Sequence, residues 1–514
     1  MPVPRSRLIV LLLPFLAACA TRPPAPRASA TFPGGWRFAS LALPVVARHV
    51  MVVSEHQLAS DVGEQVLRRG GNAIDAAVAV GFALAVVNPR AGNIGGGGFL
   101  VYRQADGTVS TLDYRETAPA AATRDMFAGA GADARRLSVI GARAAGIPGE
   151  VAGLWEMHRR FGRLPWRDLV LPAVRLAQGH VVDSVRTLVM QNNEAKLRTF
   201  AATAAVYLPG RRVPQAGDTL RLADQARTLQ LIADSGADAF YRGSIADLIV
   251  AEMRRAFADR NRFVGDPAFV TVPVDRLTGA AHADSLRRSI DPERATPTTQ
   301  WMGLPGGGEG AETTHYSIVD DDGNAAALTT TINDNFGNRQ VVTGAGFLLN
   351  DTMDDFAARP GRPNIFGLVQ GDANAIAPGK RPVSSMTPTI VVGANGRAEL
   401  VTGSPGGPTI INAVFQVIAN VVDHDMTLAE AVAAPRIHHR LLPDSVSWEM
   451  GGLDPEVRRR LERMGHRFHA SPGHLGNTSA VGLGTIGVVE AIRVTPAGLE
   501  GVADPRIRGG AAGW

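Results

Sequence analysis

Cysteine and lysine are nearly absent from this chain of 514 residues. Its one cysteine is Cys19, which excludes an internal disulfide. Lys196 and Lys380 are the only lysines, and arginine supplies the rest of the 52 basic residues. Because arginine barely titrates, a net charge of only +4 accompanies a pI of 9.6. Aromatic residues make up 6%, and no stretch combines dense basic residues with aromatics, which argues against a nucleic-acid-binding protein.

Several motifs of nucleotide, metal and serine chemistry are absent as well. The chain has no G-x-S-x-G elbow and no P-loop. Its glycine run at 92–98 precedes a strand-like segment, whereas a dinucleotide loop follows one. His424, His438 and His439 have no partners at ligand-like spacing. We therefore expect no metal or other cofactor.

The N-terminus has the pattern of an export signal. Arginines precede the apolar run 8–18, which is too short for a membrane span. The run ends in LAAC, with Cys19 last, and resembles the lipobox of bacterial lipoproteins. The alternative is an ordinary signal peptide, with the cysteine there by chance. The lipobox predicts a signal peptide over 1–18, a lipid on Cys19 and a Pro/Ala-rich tether over 19–36. Because Ala20 follows the cysteine, it also predicts a periplasmic location at the bacterial outer membrane.

Two helices are expected after the tether. Ser54 and Gln57 form a capping-box pattern for the first helix, and a glycine pair ends it. Asn72 can cap a second helix over 73–87, which is apolar almost all round and should be buried. Further patterns are strand-like at 99–102 and 109–114 and helical over 150–253, with hairpin turns at 320–324 and 393–396.

The hairpin with the most chemical information runs from Thr313 to Asn333. A five-residue loop pairs Val319 with Ala325, and antiparallel register then places Thr313 opposite Thr331. Asn333 would be a diagonal neighbour on the same face. Threonine also favours strands for steric reasons alone, so the hairpin by itself has a purely structural interpretation.

A glycine-rich segment before the hairpin favours a chemical interpretation. Residues 305–312 (PGGGEGAE) are exposed in composition and run directly into the strand. If the chain is cut between Glu312 and Thr313, the freed α-amine can act as a base for the threonine hydroxyl.

Most of the chain resembles a known protein family. From Met51 to Arg506 it is similar to the gamma-glutamyltransferase (gamma-glutamyltranspeptidase) family of N-terminal nucleophile hydrolases. The resemblance is carried by residues 70–77 (GGNAIDAA), 91–98 (AGNIGGGG), 113–116 (DYRE), 313–317 (TTHYS), 353–356 (MDDF), 381–386 (RPVSSM) and 403–407 (GSPGG).

The resemblance implies a mixed α/β (α+β) fold, the four-layer αββα sandwich of N-terminal nucleophile hydrolases. It implies a precursor that cuts itself between Glu312 and Thr313 into a large subunit over 37–312 and a small subunit over 313–514. Thr313 then attacks the gamma-glutamyl amide of glutathione or a related compound. The acyl group passes to water or to an amino-acid or peptide acceptor, without a cofactor. The membrane is contacted only through the lipid anchor.

The resemblance also implies roles for individual residues. Thr331 and Asn333 match residues that support the nucleophile, and Gly406 and Gly407 match the backbone N–H groups of an oxyanion hole. Arg115 matches the arginine that binds the substrate α-carboxylate, for which a guanidinium fork is suited. The remaining matches are Ser384 and Ser385 at the same carboxylate and Asp355 at the α-amino group.

Three features depart from the family pattern. Thr352 stands where the family usually has Gln or Glu contacting the substrate amino group, which should weaken that contact. Phe366 stands where bacterial members with a lid loop often carry tyrosine. Near 253–257 the large subunit is shorter by several dozen residues, which would expose sheet edges. A compact natural variant and a deletion or faulty gene model both explain this shortening.

Two alternative functions stay open. One is a related acylase that acts on glutaryl or cephalosporin side chains. Arg115 and Asp355 argue against it, because a cation and an anion together suit an α-amino-acid head. The other is an unprocessed, inactive envelope lipoprotein that binds gamma-glutamyl compounds or a partner. The shortening and Thr352 favour this second alternative.

Overall fold

Two β-sheets packed face to face form the centre of the molecule, and helices cover both outer faces. The computed structural model describes residues 29–127, 136–242, 245, 288, 293–295, 312–358, 362–368, 370–439, 444–471, 484–507 and 509–514. Contacts divide the chain into Met1–Thr31 and Phe32–Trp514, and all described helices and strands belong to the second unit.

The strands are β1 (Val45–Ala47), β2 (Met51–Ser54), β3 (Gly97–Arg103), β4 (Val109–Asp113), β5 (His180–Val181), β6 (Thr219–Leu220), β7 (Glu312–Val319), β8 (Ala325–Asn333), β9 (Thr389–Val392), β10 (Ala398–Gly403), β11 (Ile437–His438), β12 (Val446–Trp448), β13 (Phe468–Ala470), β14 (Glu490–Thr495), β15 (Gly498–Val502) and β16 (Gly510–Gly513). The helices are α1 (Gln57–Arg68), α2 (Ala73–Val87), α3 (Glu150–Phe161), α4 (Trp166–Gln178), α5 (Ser184–Asn192), α6 (Glu194–Leu197), α7 (Ala201–Tyr207), α8 (Ala223–Ser235), α9 (Asp238–Tyr241), α10 (Thr409–Val422), α11 (Leu428–Ala433) and α12 (Pro455–Arg463).

The two large sheets have unequal size. Within the described residues, one has six strands in the order β16-β2-β7-β8-β3-β4 and the other has five in the order β1-β15-β14-β10-β9. Side chains of β7 and β8 alternate between the two faces of their sheet. Tyr316, Ile318 and Leu328 pack with the helices, whereas Val319 and Ala327 pack with the other sheet. Helices α1 to α4 cover the first sheet, and α10 and α11 cover the second. The predicted four-layer αββα sandwich is confirmed.

The second helix is as predicted, but the cap of the first is different. Helix α2 is fully buried, and the Asn72 side chain caps its first turn. Helix α1 is capped by His56, whose ring accepts a hydrogen bond from the Leu58 N–H. The predicted capping box of Ser54 and Gln57 is therefore wrong. Ser54 ends strand β2, so its backbone pairs within the sheet and cannot begin a helix.

The folded unit includes the last residues of the predicted tether. Trp36 is buried, and its Nε1 donates to the carbonyl oxygen of Ala433 at 2.7 Å. The guanidinium of Arg506 lies 5.7 Å from the Trp36 ring and 4.9 Å from that of Phe38. The boundary predicted between residues 36 and 37 is thus too late.

A buried ion network lies beside these aromatic rings. Arg506 contacts Glu449 at 2.7 Å and Asp504 at 3.1 Å, and Arg436 contacts Asp504 at 2.8 Å. The backbone N–H groups of Arg436 and Ile486 also donate to the Glu449 carboxylate. Buried charges are tolerated only with such partners, so this network fixes the position of the chain around β14 and β15.

Both lysines are held by oxygen atoms. Lys380 is fully buried, and its Nζ donates to the carbonyl oxygens of Ala373 and Ala375. The Nζ of Lys196 lies 2.7 Å from the Asp334 carboxylate.

Several predictions concern residues outside those that the structure describes. They are the signal peptide over 1–18, the lipid on Cys19, the glycine-rich segment up to residue 311 and the shortening near 253–257. In the part of the chain that the structure covers, no helix is long and apolar enough to cross a membrane.

Candidate active site

An open cleft, with about 500 Å³ of empty space when its opening to solvent is counted, lies at the open end of the β7–β8 hairpin. It brings together most of the predicted site residues, namely Thr313, Thr331, Asn333, Arg115, Asp355, Ser384, Ser385 and Gly407. The remaining lining consists of Phe366, Leu368, Gln370, Val383, Met386, Pro408 and Ile410. One part of the cleft is thus polar and charged, and the other is mainly apolar.

The predicted nucleophile lies in a β-bulge. The hairpin keeps the predicted register from its loop as far as Thr314, after which the register shifts and Glu312 pairs with Asn333. Thr313 lies at this irregularity, with its Oγ1 3.3 Å from the Oγ1 of Thr331. The predicted proximity of the two hydroxyls is confirmed. Bulges redirect side chains next to functional sites, and this one was not predicted.

Asn333 connects the end of β8 to the turn that leads to Asp355. Its backbone N–H donates to the Thr331 hydroxyl oxygen at 2.9 Å, and its Nδ2 donates to the Asp351 carbonyl oxygen at 3.1 Å. Its φ of +79° lies in the left-handed region, which asparagine tolerates better than most residues. This backbone conformation turns the N–H towards Thr331 and so fixes the supporting hydroxyl.

Arg115 is buried between two carboxylates. Its Nη2 donates to Oδ2 of Asp355 at 2.8 Å, and its Nη1 donates to Oε2 of Glu116 at 3.2 Å. Strand β4 ends two residues earlier, where the Asp113 carboxylate accepts the Arg115 N–H. The sequence predicted Arg115 and Asp355 as separate contacts of a substrate, and the structure shows that they also contact each other.

The two acids beside Arg115 are harder to ionise than usual. Burial raises the pKa of Asp355 to about 6 although Arg115 opposes the shift. Burial likewise raises the pKa of Glu116 to about 7, again against the effect of Arg115. One guanidinium therefore contacts two buried carboxyl groups, and it only partly offsets the rise that burial causes in their pKa values.

The loop before β9 and the residues before helix α10 supply the remaining predicted site residues. Ser384 and Ser385 lie on the loop before β9, where the Ser384 hydroxyl oxygen accepts the Met386 N–H at 3.1 Å. Gly406 and Gly407 precede helix α10 with φ of +130° and +51°. Such angles favour glycine.

The glycine pair meets one requirement of an oxyanion hole. The carbonyl oxygens of Gly406 and Gly407 accept the first N–H groups of the α10 segment. Their own N–H groups donate to no acceptor among the residues described. Gly407 lines the same cleft as Thr313, whereas Gly406 is the residue before it and is not part of the lining. Donors that remain available at the cleft suit an oxyanion.

The structure does not bring Thr352 into the cleft. Its side chain is buried, and its hydroxyl donates to Oδ1 of Asn350 at 2.6 Å. Phe366 does line the cleft, with its ring buried. The expected weak contact of Thr352 with a substrate is therefore replaced by a contact that orders the turn before Asp355.

Two buried acids near the cleft were missed by the sequence reasoning. Glu116 lies in a motif that the sequence analysis used, yet it received no role. Glu150 opens helix α3, and its carboxyl group meets the Thr330 hydroxyl. Neither position has a distinctive spacing, because the partner of Glu116 is the adjacent Arg115 and the partner of Glu150 lies 180 positions away. Among the described residues no cluster of three metal-ligating side chains occurs.

The four-layer fold with a threonine facing a cleft at the start of a central strand defines the class of N-terminal nucleophile hydrolases. A profile described as gamma-glutamyltranspeptidase matches residues 59–256 and 250–514. The chain is 38% identical to the glutathione hydrolase proenzyme of Escherichia coli (strain K12) over 542 positions, covering 90% of this chain and 91% of that protein. It is also 38% identical to the glutathione hydrolase proenzyme of Pseudomonas aeruginosa, covering 89% of this chain and 93% of that protein. The chain belongs to the gamma-glutamyltranspeptidase family.

A solved structure supports the fold independently. The cephalosporin acylase from Bacillus halodurans matches with a TM-score of 0.77 at 22% identity, covering 96% of this chain and 99% of that one. At this identity the similarity concerns the fold alone. The 542 positions aligned with the Escherichia coli protein exceed the 514 residues of this chain, so that protein contains positions without a counterpart here.

Proposed function

We propose that this protein is a self-processing gamma-glutamyltransferase and glutathione hydrolase whose nucleophile is Thr313. Family membership and the glutathione hydrolase proenzymes that it resembles support the activity. The observation that carries the assignment of residues is the cleft. It places the Thr313 hydroxyl beside Thr331, together with the buried pair of Arg115 and Asp355.

The first chemical step is attack on a gamma-glutamyl amide. After cleavage of the chain before Thr313, its α-amine accepts the proton from its own hydroxyl as Oγ1 bonds to the substrate carbonyl carbon. The Thr331 oxygen, fixed by the Asn333 N–H, holds the nucleophile in place. The N–H groups of Gly406 and Gly407 stabilise the negative oxygen, and the amine leaving group takes the proton as the C–N bond breaks.

The cleft is specific for a gamma-glutamyl group because it binds the α-amino-acid head of the substrate. The α-carboxylate binds Arg115 and the hydroxyls of Ser384 and Ser385, and the α-ammonium binds Asp355. Arg115 and Asp355 supply opposite charges 2.8 Å apart, which suits a zwitterion better than a glutaryl group with its single carboxylate. The acylase alternative is therefore less well matched by this cleft.

The second step releases the acyl group. Water, or the amine of an amino acid or peptide, attacks the gamma-glutamyl ester, and the Thr313 hydroxyl is regenerated with its proton. The mainly apolar side of the cleft, formed by residues such as Leu368, Met386 and Ile410, is available to the leaving group and the acceptor.

The location is proposed from the N-terminal sequence. A signal peptide over 1–18 and a lipid on Cys19 would place the enzyme in the bacterial periplasm, anchored to the outer membrane. Mass analysis of the N-terminal peptide from the membrane fraction should show a lipid-modified cysteine. In Cys19→Ala the protein should lose that modification. An unmodified N-terminal peptide in the wild type would exclude the anchor.

The proposed function is tested on purified protein that begins at Phe32, the first residue of the folded unit. Intact mass should show two fragments divided between Glu312 and Thr313, and a gamma-glutamyl anilide should be hydrolysed. Thr313→Ala should remain a single chain without activity, whereas Thr313→Ser keeps a hydroxyl and should be processed slowly. A matched glutaryl anilide tests the acylase alternative. Faster release of the aniline from the glutaryl than from the gamma-glutamyl compound would exclude the gamma-glutamyl assignment. A folded, uncut and inactive wild-type chain would favour the binding lipoprotein.

A further inference from the structure

Glu150 is a buried carboxyl group that the proposed reaction does not use. It is the first residue of α3, only 1% of its surface is exposed, and its backbone N–H donates to the Gly96 carbonyl oxygen at 2.9 Å. Its carboxyl oxygen Oε2 meets the hydroxyl of Thr330 on β8. Glu150 thus joins the start of a helix to a central strand of the sheet.

Counting protons at Thr330 indicates which form of Glu150 fits the site. The Thr330 Oγ1 lies 3.1 Å from the Gly97 carbonyl oxygen as well as within hydrogen-bond distance of Glu150. A carbonyl oxygen only accepts, and a hydroxyl has one proton to donate. Both contacts are satisfied together only if Thr330 donates to Gly97 and the carboxyl group of Glu150 donates to Thr330. The geometry therefore fits a protonated Glu150.

The surroundings of Glu150 favour the same form. No cation lies within ion-pair distance of its carboxyl group in the described part of the chain, and its ionisable neighbours are Glu116 and the phenols of Tyr114, Tyr241 and Tyr316. Burial raises the pKa of Glu150 to about 8, although the hydrogen bond with Thr330 opposes the shift, and the charge of Glu116 adds a smaller rise. Ionised Glu150 would be a buried anion without an ion-pair partner among the described residues, because the nearby Arg115 pairs with Glu116 and Asp355.

Two short connections join Glu150 to the cleft. Thr330 is adjacent to Thr331, whose oxygen contacts the nucleophile. Glu116, the other acid in this region, holds one arm of Arg115. A change in the charge of Glu150 therefore acts on both the nucleophile strand and the substrate-binding arginine.

We propose that Glu150 is a positioning residue whose neutral form fixes the Thr330 hydroxyl of β8 against the Gly97 carbonyl group of β3 for catalysis, and whose ionisation turns the enzyme off at alkaline pH. When Glu150 loses its proton, Thr330 must donate to the new carboxylate, and the hydroxyl contact with Gly97 is lost. The new charge also repels Glu116 and so disturbs Arg115. This inference rests on the proposed function for its kinetic effect but not for the protonation state itself.

The pH dependence that follows has two opposite limbs. The α-amine of Thr313 must be unprotonated to act as a base, so activity rises with pH through the usual amine range of about 7.7–8.0. Ionisation of Glu150 lowers activity again above its own pKa. A bell-shaped profile is therefore expected, with its alkaline limb due to a carboxyl group.

The variant Glu150→Gln tests whether Glu150 causes the alkaline fall of the pH profile. Its side-chain amide donates to Thr330 at every pH, so the processed variant should keep its activity near neutral pH and lose the alkaline fall in kcat/KM. Glu156→Gln is the matched control, since Glu156 lies on the same helix and forms surface ion pairs with Arg159 and Arg160. The control should keep the bell shape. An unchanged alkaline limb in Glu150→Gln would overturn the proposal.

A direct measurement keeps the proposal testable if the variant fails to mature or the enzyme is inactive. Infrared difference spectra of the full folded wild-type chain between pH 6 and pH 10 should show the loss of a protonated-carboxyl band. Carbon-13 labelling of glutamate should shift that band, which identifies it as glutamate. If Glu150→Gln folds, its band should be smaller by the contribution of Glu150 and should keep that of Glu116, whose pKa is also raised into this range. An identical band in the variant and the wild type would contradict the assignment to Glu150. Absence of such a band in the wild type would overturn the assignment whatever the activity of the protein.

Discussion

The Nη2 of Arg115 lies 2.8 Å from Oδ2 of Asp355, so the cation and the anion proposed to bind a substrate are already bound to each other. An α-amino-acid head places its carboxylate on the arginine and its ammonium on the aspartate. Binding is then an exchange of ion pairs within a preformed arrangement rather than the burial of new charge. Such preorganisation reduces the cost of desolvation, which otherwise limits buried ion pairs.

Arg115→Lys should raise KM for a gamma-glutamyl substrate. Lysine keeps the charge but lacks the planar fork that contacts Asp355, Glu116 and a substrate carboxylate together. Loss of one charge-assisted hydrogen bond, about 1.5–3 kcal/mol, corresponds to an increase in KM of about 10- to 150-fold. Steady-state kinetics on a gamma-glutamyl anilide measure it. Arg381→Lys is the control, because Arg381 forms a half-exposed pair with Asp113. Equal effects in both variants would contradict the role of Arg115.

Thr331→Val should slow the chemical step while leaving substrate binding nearly unchanged. Valine has the same shape but cannot accept the hydrogen bonds from the Thr313 hydroxyl and the Asn333 N–H. A loss of about 1–2 kcal/mol in the transition state lowers kcat by roughly 5- to 30-fold. Thr331→Ser restores the oxygen and should recover most of the rate. A large rise in KM with unchanged kcat would place Thr331 in substrate binding instead.

His315 should make the protein less stable in mild acid. It is buried between the sheets, with Nδ1 2.8 Å from the Thr329 hydroxyl and Nε2 3.0 Å from the Ser317 hydroxyl. Burial lowers its pKa to about 3, so the unfolded chain binds the proton first. The stability that this residue contributes is complete above its ordinary pKa near 6.5 and falls as the pH drops towards 3.

Between pH 6.5 and 3, His315 alone changes the free energy of unfolding by about 1.4 kcal/mol per pH unit. Denaturant unfolding at pH 7, 6 and 5 measures the change in the free energy of unfolding. In His315→Gln the pH dependence should be smaller than in the wild type by about this amount. Parallel curves for the two proteins would show that His315 binds protons equally in the folded and the unfolded chain, and would contradict the lowered pKa.

Glu449→Ala should destabilise the fold strongly without acting on the cleft. Its carboxylate accepts two arms of Arg506 and the backbone N–H groups of Arg436 and Ile486, and none of it is exposed. Removing one partner from a buried ion network costs about 3–5 kcal/mol. Glu456→Ala breaks an exposed pair with Arg459 and should cost less than about 1 kcal/mol. Comparable thermal unfolding midpoints in the two variants would contradict the importance of the network.

Much of the hairpin could be predicted from local rules, because strand pairing follows once the loop is fixed. The pairing of Val319 with Ala325 therefore led to the contact between Thr313 and Thr331. The bulge at Thr313 could not be predicted in this way, since it depends on how β8 ends at Asn333. Local rules also failed at Ser54, where pairing with neighbouring strands overrides a capping pattern.

The site itself was recognised by resemblance rather than by spacing. Arg115 and Asp355 are 240 positions apart, and nothing local in the sequence shows that their side chains meet. The contact and the protonation state of Glu150 were even harder to predict. Its partner Thr330 lies on another element, and its protonation depends on burial. Contacts between distant elements, and the charge states that they impose, require the folded structure.

The two lysines also have a practical consequence for chemical labelling. Lys380 is wholly enclosed and Lys196 is held by Asp334, so the folded protein offers amine-reactive reagents few targets other than chain ends. Self-cleavage before Thr313 would create one new primary amine on the residue that performs the chemistry. A tag attached under native conditions would then report maturation of each molecule at its own nucleophile.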